Sequence, residues 1–319
     1  MLLPDIFSFS SLVAAFASYK FTIVPKEAAT QNHIQVPLQL ADFHSKTSHY
    51  PIVLWHGMGD NYNSSSIQKV EDIIRLEVPG VYIHSIYLDE DESQDQQSSF
   101  FGKVMDQITQ VCEQLQNVTE LSEGFNAMGF SQGGLFLRAA MEICGLKINN
   151  LVTYGSPHNG VSDLPPCKDT DWLCKRRNFF LKSQVFNPKV QNKVVQAQYF
   201  RDPYNWEQYL TKSEFLRYAN NEGELYNGTY KDNLLNINKL VLVLFEDDGM
   251  VVPKESAWFG DTDASTNLIL PFTETESYKN DLIGLKTLHE ENKLDFLSLE
   301  GSHMKIPETH LQFIASAYF

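Results

Sequence analysis

Gly129-Phe130-Ser131-Gln132-Gly133 is a Gly-x-Ser-x-Gly segment, and residue types at that spacing suit nucleophilic catalysis. The segment follows the apolar run Phe125 to Phe130 and precedes a helical pattern starting near Leu135, so the serine falls on a tight strand-to-helix turn. Glycines flank it because a Cβ there would strike neighbouring backbone. The turn lifts the Ser131 hydroxyl above a sheet. It also sets the backbone N–H of Gln132 at a helix N-terminus, where aligned peptide dipoles favour a developing oxyanion.

A serine of ordinary pKa is a poor nucleophile, so the turn demands a histidine base and an acid to orient it. Where such a turn sits on a mostly parallel sheet, the acid follows a late strand and the base follows the last strand before the closing helix. Of nine histidines, His303 meets the second condition, in Glu300-Gly301-Ser302-His303 directly after the run Leu294 to Leu299. His289 precedes that run and reads as a surface residue. His158, in Gly155-Ser156-Pro157-His158, also follows a strand pattern but comes too soon after Ser131. For the acid, the run Leu240 to Phe245 is followed by Glu246-Asp247-Asp248-Gly249. Asp248 is favoured, since a glycine and then an apolar pair would anchor the loop and free its carboxylate; Asp247 is the runner-up.

The second oxyanion donor is expected from the loop after the first strong strand, His56-Gly57-Met58-Gly59-Asp60. Glycines on both sides let the Met58 N–H turn toward the site, so Met58 and Gln132 form the expected oxyanion hole. His56 is either a polar reader of substrate or, more in keeping with its place, a hydrogen-bonding residue within the loop. None of this chemistry calls for a metal or cofactor.

These residues need a scaffold, and short apolar runs supply one: Ile52 to Trp55, Val81 to Leu88, Phe125 to Phe130, Leu151 to Tyr154, Leu240 to Phe245 and Leu294 to Leu299 read as strands buried on both faces. Helical spacing separates several of them, from Phe100 to Leu115 and from Leu135 to Ile143, and Pro307 opens a closing helix to Phe319. Alternating strands and helices predict an α/β fold with a mostly parallel central sheet covered on both faces. Residues 50–319 are expected to form this domain, and the polar, poorly periodic residues 1–49 a loosely attached arm. From about 161 to 238 the alternation fails, and Trp172, Phe179, Phe180, Phe186, Tyr199, Trp206 and Tyr209 fall there. A largely helical insertion before the strand carrying the acid accounts for the gap, either as a second small core covering the sheet or as a lid-like apolar binding surface.

With 43% hydrophobic residues among 319, the chain can bury a large core and is not disordered. Its formal charge of −15 repels phosphate backbones, which excludes a nucleic-acid partner. No segment approaches the roughly 20 apolar residues needed to span a bilayer. Three features point to the secretory pathway. The start is apolar from Ile6 and ends in Ala15-Phe16-Ala17, a signal-like cleavage pattern without the usual Lys or Arg before it. Asn63, Asn117 and Asn227 head glycosylation triplets. Four cysteines, Cys112, Cys144, Cys167 and Cys174, permit three pairings or buried free thiols.

The segments Trp55-His56-Gly57-Met58-Gly59-Asp60, Ser99-Phe100-Phe101, Asn126 to Gly134, Val195-Gln196-Ala197-Gln198-Tyr199, Trp258-Phe259-Gly260 and Glu300-Gly301-Ser302-His303 together resemble the lysosomal palmitoyl-protein thioesterases. The likeness runs from Tyr50 to the C-terminus. It implies an α/β-hydrolase fold whose insertion builds an acyl-chain groove, with nucleophile, acid and base at Ser131, Asp248 and His303 and oxyanion donors at Met58 and Gln132. It implies disulfides Cys112–Cys144 and Cys167–Cys174 and glycosylation at Asn227. It also implies a function: cleavage of long-chain acyl thioesters on cysteine, in S-acylated proteins or peptides, in the lysosome or vacuole. The chain departs from the family pattern in reading Asn61-Tyr62-Asn63 where a vicinal cysteine pair stands, Ser302 for an Asp before the base, and Val252 for a second Asp near the acid. The triad alone does not separate a thioesterase from a lipase or phospholipase-like esterase on the same scaffold.

Overall fold

A computed structural model describes residues 22–23, 49–163, 182–224 and 226–319. The signal-like segment, Trp172, Phe179, Phe180 and the pair Cys167 and Cys174 lie outside the described residues.

Nine strands are described: β1 (Thr22–Ile23), β2 (Ile52–Trp55), β3 (Ile83–Ser85), β4 (Phe125–Phe130), β5 (Ile148–Tyr154), β6 (Lys239–Phe245), β7 (Asp261–Thr262), β8 (Ile269–Leu270) and β9 (Leu294–Leu299). Seven form one sheet in the order β1-β9-β6-β5-β4-β2-β3, while β7 and β8 pair as a separate antiparallel ribbon. Every pairing in the large sheet is parallel except that of β1 with β9. The apolar character of these runs has the expected cause: β2 and β4 are buried at every position, Asn126 included, as a sheet covered on both faces requires.

Four main helices follow in chain order: α1 (Ser65–Glu77), α2 (Glu92–Ser98), α3 (Val104–Gln116) and α4 (Gln132–Cys144), before a closing helix, Glu308–Tyr318. One face of the sheet sends Ile52, Leu54, Met128, Val152 and Val243 against Ile67, Val70 and Ile74 of α1 and Leu311 and Ile314 of the closing helix. On the other face Val53, Trp55, Ala127 and Leu151 share a core with α3, α4 and the insertion residues Val195, Tyr199, Tyr209 and Phe215. The described part of the insertion holds a series of short helices between 188 and 235. It shares that core rather than building a separate one.

Some expectations shift. The run Val81 to Leu88 contributes only Ile83–Ser85, because this edge strand has β2 as its single partner. Phe100 and Phe101 precede α3 instead of opening it, since Gly102 adopts φ 137° and breaks the helical path. Pro307 caps the closing helix one residue before its first turn. Cys112 and Cys144 form a disulfide between α3 and α4, across a sequence separation of 32.

Candidate active site

The turn between β4 and α4 is the local structure on which the site depends. Ser131 stands there at φ 53° and ψ −125°, a conformation side-chain-bearing residues rarely adopt. Its N–H donates to the Tyr154 carbonyl at 2.8 Å. The flanking glycines are required by contact: a Cβ on Gly129 would run into the backbone of Gly133 and Gly134, and one on Gly133 into the carbonyls of Trp55 and His56. The turn therefore lets α4 start against the end of β2, which carries the expected oxyanion loop.

The three sequence-predicted chemical residues come together. His303, after β9, faces the Ser131 Oγ through Nε2 at 3.0 Å and Asp248 Oδ2 through Nδ1 at 2.6 Å. Asp248 follows β6 and is almost wholly buried; its other oxygen accepts the N–H groups of Met250 at 2.8 Å and Val251 at 3.0 Å. Those bonds fix the carboxylate so that one oxygen is left for the imidazole. The other candidate acid, Asp247, is held through its backbone to Gly301, and the neighbouring Glu246 accepts from the Ser298 hydroxyl instead.

The two other candidate histidines have structural surroundings. His158 is buried, stacks on Phe259 at 4.7 Å and accepts from Arg138 Nε at 3.2 Å, with Thr153 Oγ1 on its other nitrogen at 2.9 Å. Burial, with the Arg138 charge beside it, holds its pKa well below the usual 6.5, so it stays neutral. His289, read from sequence as a surface residue, is buried instead: its ring meets the Tyr278 hydroxyl at 2.8 Å and packs on Phe272. The helix Leu285–Glu290 turns that face inward, which a stretch rich in charged residues conceals.

The loop after β2 runs beside the serine. Met58 is partly exposed over the site, and no hydrogen-bond acceptor engages the backbone N–H of Met58 or Gln132 among the described residues. His56 is buried and turned inward, with Nδ1 near the Gly57 carbonyl at 2.9 Å and Nε2 3.0 Å from the buried Asp95. That is a loop brace, not a reader of substrate. Asp95 also accepts the N–H groups of Tyr62 and Leu88.

Sequence reasoning missed the polar set behind the serine, which only its place in the quoted segments could have flagged. The Gln132 side chain accepts from Gln196 at 3.1 Å and from the Tyr199 hydroxyl at 3.2 Å. Burial pushes the Tyr199 phenol up, so it remains a donor at all relevant pH.

A cavity of about 420 Å³ opens over Ser131 and His303. The insertion contributes Val161, Gln196 and Tyr199 to its wall, while Ile67 and Val70 of α1 and Ile306 and Leu311 at the closing helix supply the apolar side opposite. Phe186 and Trp206, two of the insertion aromatics, do not line the cavity: Phe186 packs on Phe200, and Trp206 lies under the Arg201 guanidinium.

A family model described as Palmitoyl protein thioesterase matches residues 51–303. The chain belongs to the palmitoyl-protein thioesterase family. Palmitoyl-protein thioesterase 1 of Caenorhabditis elegans is 41% identical over 274 residues, covering 85% of this chain and 92% of that protein. A palmitoyl-protein thioesterase–dolichyl pyrophosphate phosphatase fusion from Schizosaccharomyces pombe is 35% identical over 84% of this chain, which matches 43% of that longer protein. Palmitoyl-protein thioesterase 3 of Dictyostelium discoideum is 30% identical over 81% of this chain and 86% of its own length. The strand order and the serine turn of this palmitoyl-protein thioesterase family member are those of an α/β-hydrolase.

Proposed function

We propose that the protein hydrolyses the thioester of long-chain acyl, chiefly palmitoyl, groups on cysteine in proteins or peptides. The observation that carries this reading is the hydrogen-bonded line from Asp248 through His303 to Ser131, on a strained turn beneath a partly apolar cavity, in a member of this family.

In this reading His303 donates from Nδ1 to Asp248, which leaves Nε2 to accept the Ser131 proton as Oγ bonds to the thioester carbon. The carbonyl oxygen gains the charge, and the N–H groups of Met58 and Gln132 take it up. The carbon–sulfur bond then breaks, and the sulfur takes the proton from His303, in the same step or directly after leaving as thiolate, which returns the imidazole to its neutral form. A thiol of pKa about 8.5 leaves far more readily than an alkoxide, so the first step leans little on the acid. Water, deprotonated by the same imidazole, attacks the acyl-serine; palmitate departs and Ser131 regains its proton. Residues 50–319 form the hydrolase unit, and Thr22–Ile23, within the stretch expected from sequence to be a loosely attached arm, add an antiparallel edge strand to its sheet beside β9.

The working compartment we infer is the secretory pathway ending in the lysosome or vacuole. A disulfide between α3 and α4 and three exposed sequon asparagines, Asn63, Asn117 and Asn227, support it. No described helix is long and apolar enough to cross a membrane.

The test is hydrolysis of a palmitoyl-cysteine peptide beside its palmitoyl-serine oxyester by the purified protein, with Ser131→Ala as control. Thioester preference that the variant loses is the expected result. Equal or faster cleavage of the oxyester would overturn the substrate assignment in favour of a general lipid esterase.

A further inference from the structure

Two backbone donors on different elements must converge on one oxygen atom if an oxyanion hole is to work, yet Met58 lies in the loop after β2 and Gln132 at the start of α4. A single buried residue, Ser99, just beyond α2, bonds the residue next to the first and the side chain of the second. Its hydroxyl accepts the Gly59 N–H at 2.8 Å and donates to the Gln96 carbonyl at 2.6 Å. Its own carbonyl accepts from Gln132 Nε2 at 2.9 Å and from Gln196 Nε2 at 2.9 Å. Ser99 is 3% exposed, so water does not compete for these bonds. The Gly59 carbonyl is held on the same segment, by Gln96 Nε2 at 2.5 Å.

We propose that Ser99 is a positioning residue for the acyl-transfer step: it sets the distance between the Met58 and Gln132 N–H groups. The hydroxyl holds the residue next to Met58 and the carbonyl holds the side chain of Gln132, so one residue fixes both donors in a single frame. Gly59 makes the attachment workable because its φ of 80° turns the N–H toward Ser99. Removal of the hydroxyl leaves the Gly59 N–H without its acceptor in a water-poor place and frees the loop to drift. An ångström of drift at such a site costs about 100-fold in rate. The serine, histidine and aspartate are untouched by that drift, so reaction with reagents that need only a nucleophile should persist.

This inference rests on the thioesterase reading above, and the experiment separates the two. Wild type, Ser99→Ala and Ser99→Cys are compared on a palmitoyl-cysteine peptide for kcat and KM. They are also compared for affinity toward a hexadecyl trifluoromethyl ketone, which places a tetrahedral oxyanion on Ser131, and toward palmitate, which does not. The cysteine variant keeps the volume while its thiol is a weak acceptor, so it decides the matter if the alanine variant fails to fold. The expected result is a kcat lower by about 10- to 100-fold in Ser99→Ala, a smaller loss in Ser99→Cys and KM within about twofold. The ketone affinity should fall by the same factor as kcat while palmitate affinity holds. Unchanged kcat in both variants, or equal losses of ketone and palmitate affinity, would overturn the positioning role. Wild type inactive on the thioester would instead overturn the reading on which the inference rests.

Discussion

Gly155, at the end of β5, lies so close to His303 that a Cβ added to it would stand 3.0 Å from the imidazole Cε1 and 3.0 Å from the Phe245 ring. The space that this glycine leaves empty is the space the histidine uses to reach Ser131. Phe245 packs edge-on against the same imidazole at 5.9 Å, so the ring has no slack on that side. Gly155→Ala should therefore push His303 off its line, helped by the strain of a side chain at φ 53°. Thioester hydrolysis is expected to fall by about 10- to 100-fold. Steady-state rates with near-normal thermal stability would check it.

Asp248 and Asp247 are adjacent acids with unlike surroundings, and only the former meets His303. Asp248→Asn should lower kcat by about 10⁴-fold, because an amide no longer holds the imidazole tautomer that accepts from the serine. Asp247→Asn should leave the rate within about twofold, since surface changes away from the reacting groups have small effects. Parallel kcat measurements on the two variants decide which carboxylate acts.

The Cys112–Cys144 disulfide ties α3 to α4 over a separation of 32 residues. In the chain-entropy picture, loss of a loop of that length costs about 3 to 4 kcal/mol. The double variant Cys112→Ala, Cys144→Ala should show an unfolding free energy lower by that amount, and hence a lower urea midpoint, with an unchanged active-site hydrogen-bond line. Denaturation curves for both proteins, with m-values compared, would test this.

Stability should respond to pH through buried groups in opposite senses. Burial pushes the Glu142 carboxyl up to about 7 in spite of Arg138 beside it. Its folded pKa exceeds its unfolded one, so its contribution is full below about 4.5 and is lost as pH rises through 7. Burial lowers His310 to about 3, and His158 falls in the same direction. Their contribution is present above about 6.5 and is lost as pH falls toward 3. Urea midpoints between pH 4 and 8 should show Glu142→Gln flattening the decline above pH 4.5, and His310→Gln flattening the decline below pH 6.5.

The residues that meet chemically were legible because each stands where a strand must end. Ser131 follows β4, Asp248 follows β6 and His303 follows β9; β6 is apolar throughout after Lys239, and β4 and β9 are apolar at most positions. Short polar runs carried less. His289 looked exposed because its neighbours are charged, whereas the fold turns the chain back so that Phe272 and Tyr278, from the preceding segment, pack against it. The Ser99 contacts were invisible because the Gly59 N–H that its hydroxyl accepts comes from 40 residues away, and no period in the sequence encodes a contact of that kind. The cavity wall shows the limit again. Aromatic content suggested the insertion, but α1 and the closing helix furnish much of the apolar surface, through ordinary aliphatic residues such as Val70 and Leu311.

The strained backbone at Ser131 has a consequence for how the protein can be counted. A serine at φ 53° holds that shape only while β4, α4 and the end of β2 press on it from three sides. In a slack or misassembled chain the same side chain is one ordinary alcohol among many and does not react with a fluorophosphonate. Labelling stoichiometry is thus a census of correctly assembled molecules, and in a cell extract it would report how much of a destabilised variant survived synthesis, apart from how fast each survivor works.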